Sequence, residues 1–216
     1  ALLTQRLGLP RAVLDTARAT HAAYRHDARA RCAALLGAGH WRAAHALLAS
    51  DVAPRLFLDG AIGELRSLLA QLVPHAPGLP DWDTGGGLFL AFLDVAAAPE
   101  CAAEPRDASG VDSKQLETVL SQLHAACGKW PAMGSGAISG GEAAACNVQL
   151  RRQLVFSKMA ATLHNRVVGV AGRGGAPGGA GIAALIGVLG VSCLPADLRM
   201  SGVATAAAVA AAAVQP

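Results

Sequence analysis

The 216 residues suffice for one large domain or two small ones; 53% are apolar but only 4% aromatic. Alanine and glycine supply much of the small, uncharged surface, so burial must come from many small side chains packed closely, as between helices. The formal charge of +3 is mild, and Asp15, Asp27, Asp51, Asp59 and Glu64 are interleaved with the arginines that precede Ser67, which reads as a solvated helix face and not as the concentrated basic surface of a nucleic-acid binder.

Apolar residues recur at three and four, not two, along almost the whole chain. From Pro10 to about Leu36 one helix is predicted, with Leu14, Ala17, His21, Tyr24, Ala28 and Leu35 on its inner stripe, and Gly37 and Gly39 stopping it. Trp41, Ala44, Leu48 and Val52 then mark a short amphipathic helix. Ala53-Pro54 ends it, because proline disfavours helical geometry in the residue before it. A brief turn follows through Leu58, Asp59-Gly60 breaks it, and Ile62, Leu65, Leu69 and Leu72 carry the next helix as far as Pro74 and Pro77.

An apolar helix is predicted within Asp81 to Ala97, after the Thr84–Gly87 run "TGGG", with Asp81 and Asp83 as its caps. Pro99 to Gly110 reads as a loop. Ser113 to Cys127 is a helix with Leu116, Val119, Leu120 and Leu123 inward, and Lys129 to Gly141 is a second, glycine-rich loop. A long helix from about Glu142 to Val170 carries Val148, Val155, Met159, Leu163, Val167 and Val170 on one side. The domain organisation is thus a helical segment over residues 1–171, a glycine-rich linker over 172–181, and an apolar, alanine-rich helix or helices over 182–216. The fold class is all-α: a solenoid segment of antiparallel helices or an irregular bundle.

No residue set points to catalysis. His40 and His45 stand five apart, roughly 140° around a helix, and His21 and His26 share that spacing, so neither pair can chelate one ion from a single helix. His45 flanks the Trp41–Leu48 stripe and is expected to be an interhelix histidine with its nitrogens satisfied. The five cysteines are scattered, with no C-x-x-C pair, and are expected to be free thiols within helices. Gly179, Gly181 and Ala184 match a G-x-G-x-x-A dinucleotide fingerprint, but the density of glycine around them makes a chance match, and the valines before them continue a helical stripe. Ile182 to Leu194 is apolar but falls short of the roughly 20 residues needed to cross a bilayer. No G-x-S-x-G motif and no phosphate-binding loop of the Walker type is present. No cofactor, metal or catalytic residue is expected.

Leu3 to Tyr24, then "LLGAGHWRAAHALLASDVAPRLFLDG" over Leu35 to Gly60, a leucine helix, and "DWDTGGGLFLAFLD" over Asp81 to Asp94 occur in an order that resembles the C-terminal helical region of the ninety-six-kilodalton nucleoporin, an ancestral-coatomer-element protein. The resemblance rests on Ala38, Gly39, His40, Trp41 and His45 and on Asp81, Trp82 and Asp83. It covers roughly residues 1–94, and the later helices only by pattern.

It implies the non-enzymatic tail module of the Y-shaped outer-ring scaffold of the nuclear pore, at the nuclear envelope. There it would belong to a hetero-oligomeric complex with helical nucleoporins of eighty-five and one hundred and sixty kilodaltons, without direct nucleic-acid contact or a membrane span. A vesicle-coat adaptor and a dinucleotide-binding enzyme domain are the alternatives.

On this reading Gly37, Gly39, His40, Trp41, His45, Leu48, Pro54 and Trp82 form a structural joint, with Trp41 filling the groove between returning helices. Truncating Trp41 to alanine would then cost about 3–5 kcal/mol. Leu154, Val155, Met159, Leu163, Val167, Leu185, Ile186 and Leu189 are the candidate partner surface.

Overall fold

The computed structural model describes residues 8–97, 113–128 and 142–171. Among these residues the protein is all-α, with no strand. The helices are α1 (Arg11–Tyr24), α2 (Ala28–Gly37), α3 (Trp41–Leu47), α4 (Ala53–Leu58), α5 (Ile62–Leu72), α6 (Gly86–Ala97), α7 (Ser113–Gly128) and α8 (Glu142–Ala171). Short 3₁₀ turns cover Val73–Gly78 and Trp82–Thr84. The chain divides into two compact units, Ala1–Phe89 and Leu90–Pro216. The linker at 172–181 and the tail at 182–216 lie outside the described residues.

The first unit is a series of helix stops of one design. At the end of α2, the His40 N–H bonds to the Leu35 carbonyl at 2.9 Å and the Gly39 N–H to Leu36 at 3.1 Å. Gly39 sits at φ +79°. This is the paired-bond stop that satisfies two orphaned carbonyls and needs a left-handed residue just past the cap. Gly60 (φ +74°) repeats it after α4, with Ala61 N–H on Leu56 at 2.9 Å and Gly60 N–H on Phe57 at 3.3 Å.

The same device ends α1, where the sequence reading expected a single helix to run from Pro10 to Leu36. His26 takes the left-handed position at φ 56°, with the Asp27 N–H on Ala22 at 2.9 Å and the His26 N–H on Ala23 at 3.1 Å. The Asp27 carboxylate then accepts the Ala30 N–H at 3.0 Å and starts α2. Because the helix divides here, the inner stripe differs from the expected one. Asp15, Ala19 and Ala22 are the buried residues of α1, whereas Tyr24 is 86% exposed.

Pro54 also departs from expectation. The chain keeps helical dihedrals from Trp41 to Leu58, because the five residues Leu48–Val52 form a π turn. There the Ala53 N–H reaches back five residues to the Leu48 carbonyl. A regular turn would drive the Pro54 ring against the carbonyl four residues earlier; widening the turn removes that conflict, and Pro54 becomes buried at the start of α4. The Asp51–Arg55 ion pair, at 2.8 Å, spans the same turn.

Packing is between sequence neighbours: α1 on α2, α2 on α3 and on the π turn, α4 on α5, and α5 on the 3₁₀ turn that follows it. Cys32, Ala44, Leu48, Val52, Leu56, Leu65, Leu69, Leu72 and Leu88 have no exposed surface. Phe57 meets Phe89 edge-on at 6.1 Å. Cys32 is free, and burial pushes its thiol up to about 11, which leaves it inert as a nucleophile.

In the second unit α7 packs on α8. Leu116, Val119, Leu120 and Leu123 are buried on the expected face of α7, and α8 stays helical through Val167–Ala171, where a strand would have to precede a dinucleotide fingerprint. Cys127 is disulfide-bonded, contrary to the expectation of free thiols throughout. Wide separation along a chain does not limit which sulfurs meet in space. No helix among the described residues is long and apolar enough to cross a membrane.

The glycines supply opposing tests. Gly39→Ala forces a side chain into a left-handed site and should lower stability by about 1–2 kcal/mol in chemical denaturation. Gly63, inside α5 with nothing within 4 Å of an added Cβ, should gain up to about 1 kcal/mol as alanine.

Candidate functional site

The histidine–tryptophan stretch and the glycine run that the sequence singled out are brought together in the first unit. His45 lies on α3, 3% exposed. Its Nε2 accepts a hydrogen bond of 3.2 Å from the backbone N–H of Gly86, the first residue of α6. That N–H is one of the donors a helix start leaves without an intrahelical partner. A buried acceptor here therefore satisfies an otherwise costly group, and His45 must be the neutral imidazole carrying its proton on Nδ1.

Trp82 roofs this contact. Its ring is tilted over the His45 ring, with centroids 5.4 Å apart. The glycine run exists because nothing larger fits. A Cβ on Gly86 would come within 2.7 Å of Trp82 Cζ3, and one on Gly87 within 2.8 Å of Trp82 Nε1. A Cβ on Gly85 would sit 3.1 Å from His45 Nε2 and from Ala49. The Asp81 side chain does not cap the Trp82–Thr84 turn; the residue adopts the left-handed conformation, φ 56°, that leads the chain into it.

Trp41 does not fill the seam. It is half-buried and stacks on His75 of the 3₁₀ turn, with ring centroids 3.9 Å apart and planes 13° from parallel. Arg42 Nε donates to the Gly78 carbonyl at 3.3 Å, so the start of α3 is latched to that turn from outside. The buried ring is His45, and the expected cost of truncating Trp41 falls accordingly.

The remaining joint residues divide by role. Leu48 is wholly buried at the π turn, and Pro54 is buried beside it. His40 is exposed, with Nε2 3.3 Å from Thr16 Oγ1 of α1. Gly37 is the last residue of α2 and serves close approach: an added Cβ would meet Asp15 Oδ2 at 2.8 Å. Gly39 alone of the two makes the turn. The pieces that sequence reasoning missed are His26, Asp15 and His75. Asp27, a capping residue directly before Ala28, is compatible with the start of α2 but does not by itself mark that α1 stops at His26.

The candidate partner residues on α8 separate cleanly. Val155, Met159 and Leu163 have no exposed surface and are interior residues of the folded chain, while Leu154 is 58% exposed. The turn-by-turn spacing that marked them as a stripe is the same whether the stripe faces a core or a partner. The Val167 side chain and Leu185, Ile186 and Leu189 lie outside the described residues.

Burial lowers the affinity of the His45 imidazole for a proton below its ordinary value of 6.5, and nearby Asp81 opposes the shift. No group of three or more metal-ligating side chains occurs among the described residues. The arrangement is one of cohesion: the His45 imidazole is directed at the start of α6 in the same fold.

No family model matches the chain. It is 28% identical over 95 residues, 43% of its length, to the nuclear pore complex protein Nup98-Nup96 of Dictyostelium discoideum. It is 30% identical over 98 residues, 44% of its length, to the protein of the same name from Drosophila melanogaster. These relatives are far longer, and the chain covers 5% of each. The chain thus shares partial, distant homology with nuclear pore proteins of the Nup98-Nup96 type.

His45→Phe keeps a planar aromatic ring, slightly larger than imidazole, but strands the Gly86 N–H, and should cost about 1–3 kcal/mol at neutral pH. Trp41→Ala, losing a half-exposed stack, should cost about 1–2 kcal/mol. The pH dependence follows in sign. Below 6.5 the unfolded chain binds a proton that folded His45 resists, so wild-type stability is full above that pH and falls beneath it. The difference between wild type and His45→Phe in urea melts should shrink on going from pH 7.5 to about 5.

Proposed function

We propose that this chain is a structural scaffold segment of the nuclear pore complex at the nuclear envelope, a helical tail that docks other helical nucleoporins of the Y-shaped outer ring and so supports nucleocytoplasmic transport of protein and mRNA. The observation that carries the reading is the partial homology to two nuclear pore proteins from distant organisms. The physical chemistry is compatible with it: His45 and Cys32, among the described residues, are buried within the fold. Packing between sequence neighbours within each unit supports an α-solenoid reading with antiparallel repeats. In that arrangement Gly37, Gly39, His40, Trp41, His45, Leu48, Pro54 and Trp82 hold the joint, and the outer faces serve partners.

The partners implied are the helical nucleoporins of eighty-five and one hundred and sixty kilodaltons. Purified tagged chain should retain either of these on resin while failing to retain helical subunits of vesicle coats. Retention of coat subunits alone, or of neither class, contradicts the assignment.

A further inference from the structure

Resting on the scaffold reading, we propose that the open groove between α1 and α2 is the seat of an acidic amphipathic helix from a partner chain. The groove encloses about 970 Å³. Its α2 side is Ala30, Ala33, Ala34 and Gly37, spaced at 0, 3, 4 and 7, so that one face of α2 carries no side chain larger than a methyl group. Such a face lets an incoming helix approach at the short end of the 8–10 Å range of interaxial distances. Its spacing is that of the ridges a docked helix presents.

The opposite lip is charged. Arg11 and Arg18 of α1 and Arg25, the residue that caps its end, line the groove at intervals of seven, so the side chains start about 10 Å apart along the axis. They are incompletely neutralised. Asp15 is shared by Arg18, at 2.7 Å, and Arg11, at 3.6 Å. The Asp27 carboxylate is committed to capping α2. Arg25 has no acidic partner among the described residues.

A partner helix with glutamate or aspartate at heptad spacing beside an alanine- or leucine-rich seam complements both sides. A nucleic-acid strand does not, since it carries charge along its backbone but no apolar ridge to seat against the alanine face of α2. Docking here explains why Ala30, Ala33 and Ala34 line the open side of a helix that buries Cys32, Leu35 and Leu36 on its other side, while Gly37 makes room for Asp15.

The test uses the full chain and a fluorescein-labelled helical peptide of three heptads, with glutamate flanking an Ala/Leu seam, followed by anisotropy. A lysine-for-glutamate version and a labelled single-stranded oligonucleotide serve as comparisons. Saturable binding of the glutamate peptide is expected, weakened about tenfold or more by Arg25→Glu and by Ala33→Trp. Arg31→Glu, the same charge change on α2 outside the groove, should alter it less than about threefold. Thermal melts of the variants check that the fold is intact.

Absence of saturable binding, equal loss in Arg31→Glu, or preference for the oligonucleotide overturns the proposal. Retention on the nucleoporin resin separates the two readings. If wild type and Ala33→Trp are retained alike, the groove assignment fails and the scaffold assignment stands. If the peptide binds the groove but wild type retains no nucleoporin, the scaffold assignment fails alone.

Discussion

One hydrogen bond between an imidazole and a helix start organises the first unit. The His45 imidazole accepts a hydrogen bond from a buried amide 41 positions further along the chain, that of Gly86. The bond dictates its surroundings. The imidazole must be neutral, Trp82 must cover it, and three consecutive glycines must yield the space that Trp82 and His45 occupy. A buried polar contact of this kind contributes modestly to stability when made, yet leaves a costly orphan when broken. It therefore selects one arrangement of α3 and α6 over near neighbours that bury the same apolar surface.

The turns upstream prepare that arrangement. Left-handed residues at His26, Gly39 and Gly60 end α1, α2 and α4 with the same pair of backbone bonds, so that two orphaned carbonyls at each stop are satisfied. The π turn at Leu48–Val52 lets a single rod carry His45 near one end and buried Pro54 near the other. Long-range polar contacts then fasten the outside: Trp41 on His75, Arg42 on the Gly78 carbonyl, and Arg29 forked on Glu64. The last is solvent-exposed and adds little energy. The interior holds the fold, and the outer latches limit fraying.

Much of this was legible before any coordinates. Threefold and fourfold apolar spacing marked the helical stretches, though it joined α1 to α2 and read α4 as a turn, and the inward face of α7 follows from it directly. The histidine at position 45 was recognisable as interhelical because it flanks Trp41 and Leu48. Three features were not readable, each for a physical reason. The break at His26 is written in a residue that only occasionally accepts left-handed dihedrals. Pro54 is a helix stop by every local rule, and the tertiary environment that favours a widened turn leaves no mark in the sequence. Trp41 and His45 lie four residues apart on one helix, so periodicity cannot tell which ring faces inward. Bulk suggested the indole, and the need to satisfy the Gly86 amide chose the imidazole. The Val155, Met159 and Leu163 stripe shows the same ambiguity between core and partner.

A chain whose polar interior is spent on its own cohesion leaves function to its surface, consistent with distant kinship to nuclear pore proteins. The most direct measurement is native-state hydrogen exchange at the Gly86 amide by NMR. The first amides of a helix ordinarily exchange with little protection. The account requires that of Gly86 to be as slow as the amides inside α6, and to accelerate sharply in His45→Phe while Trp41→Ala leaves it slow. Rapid exchange at Gly86 in the wild-type protein at neutral pH would contradict it.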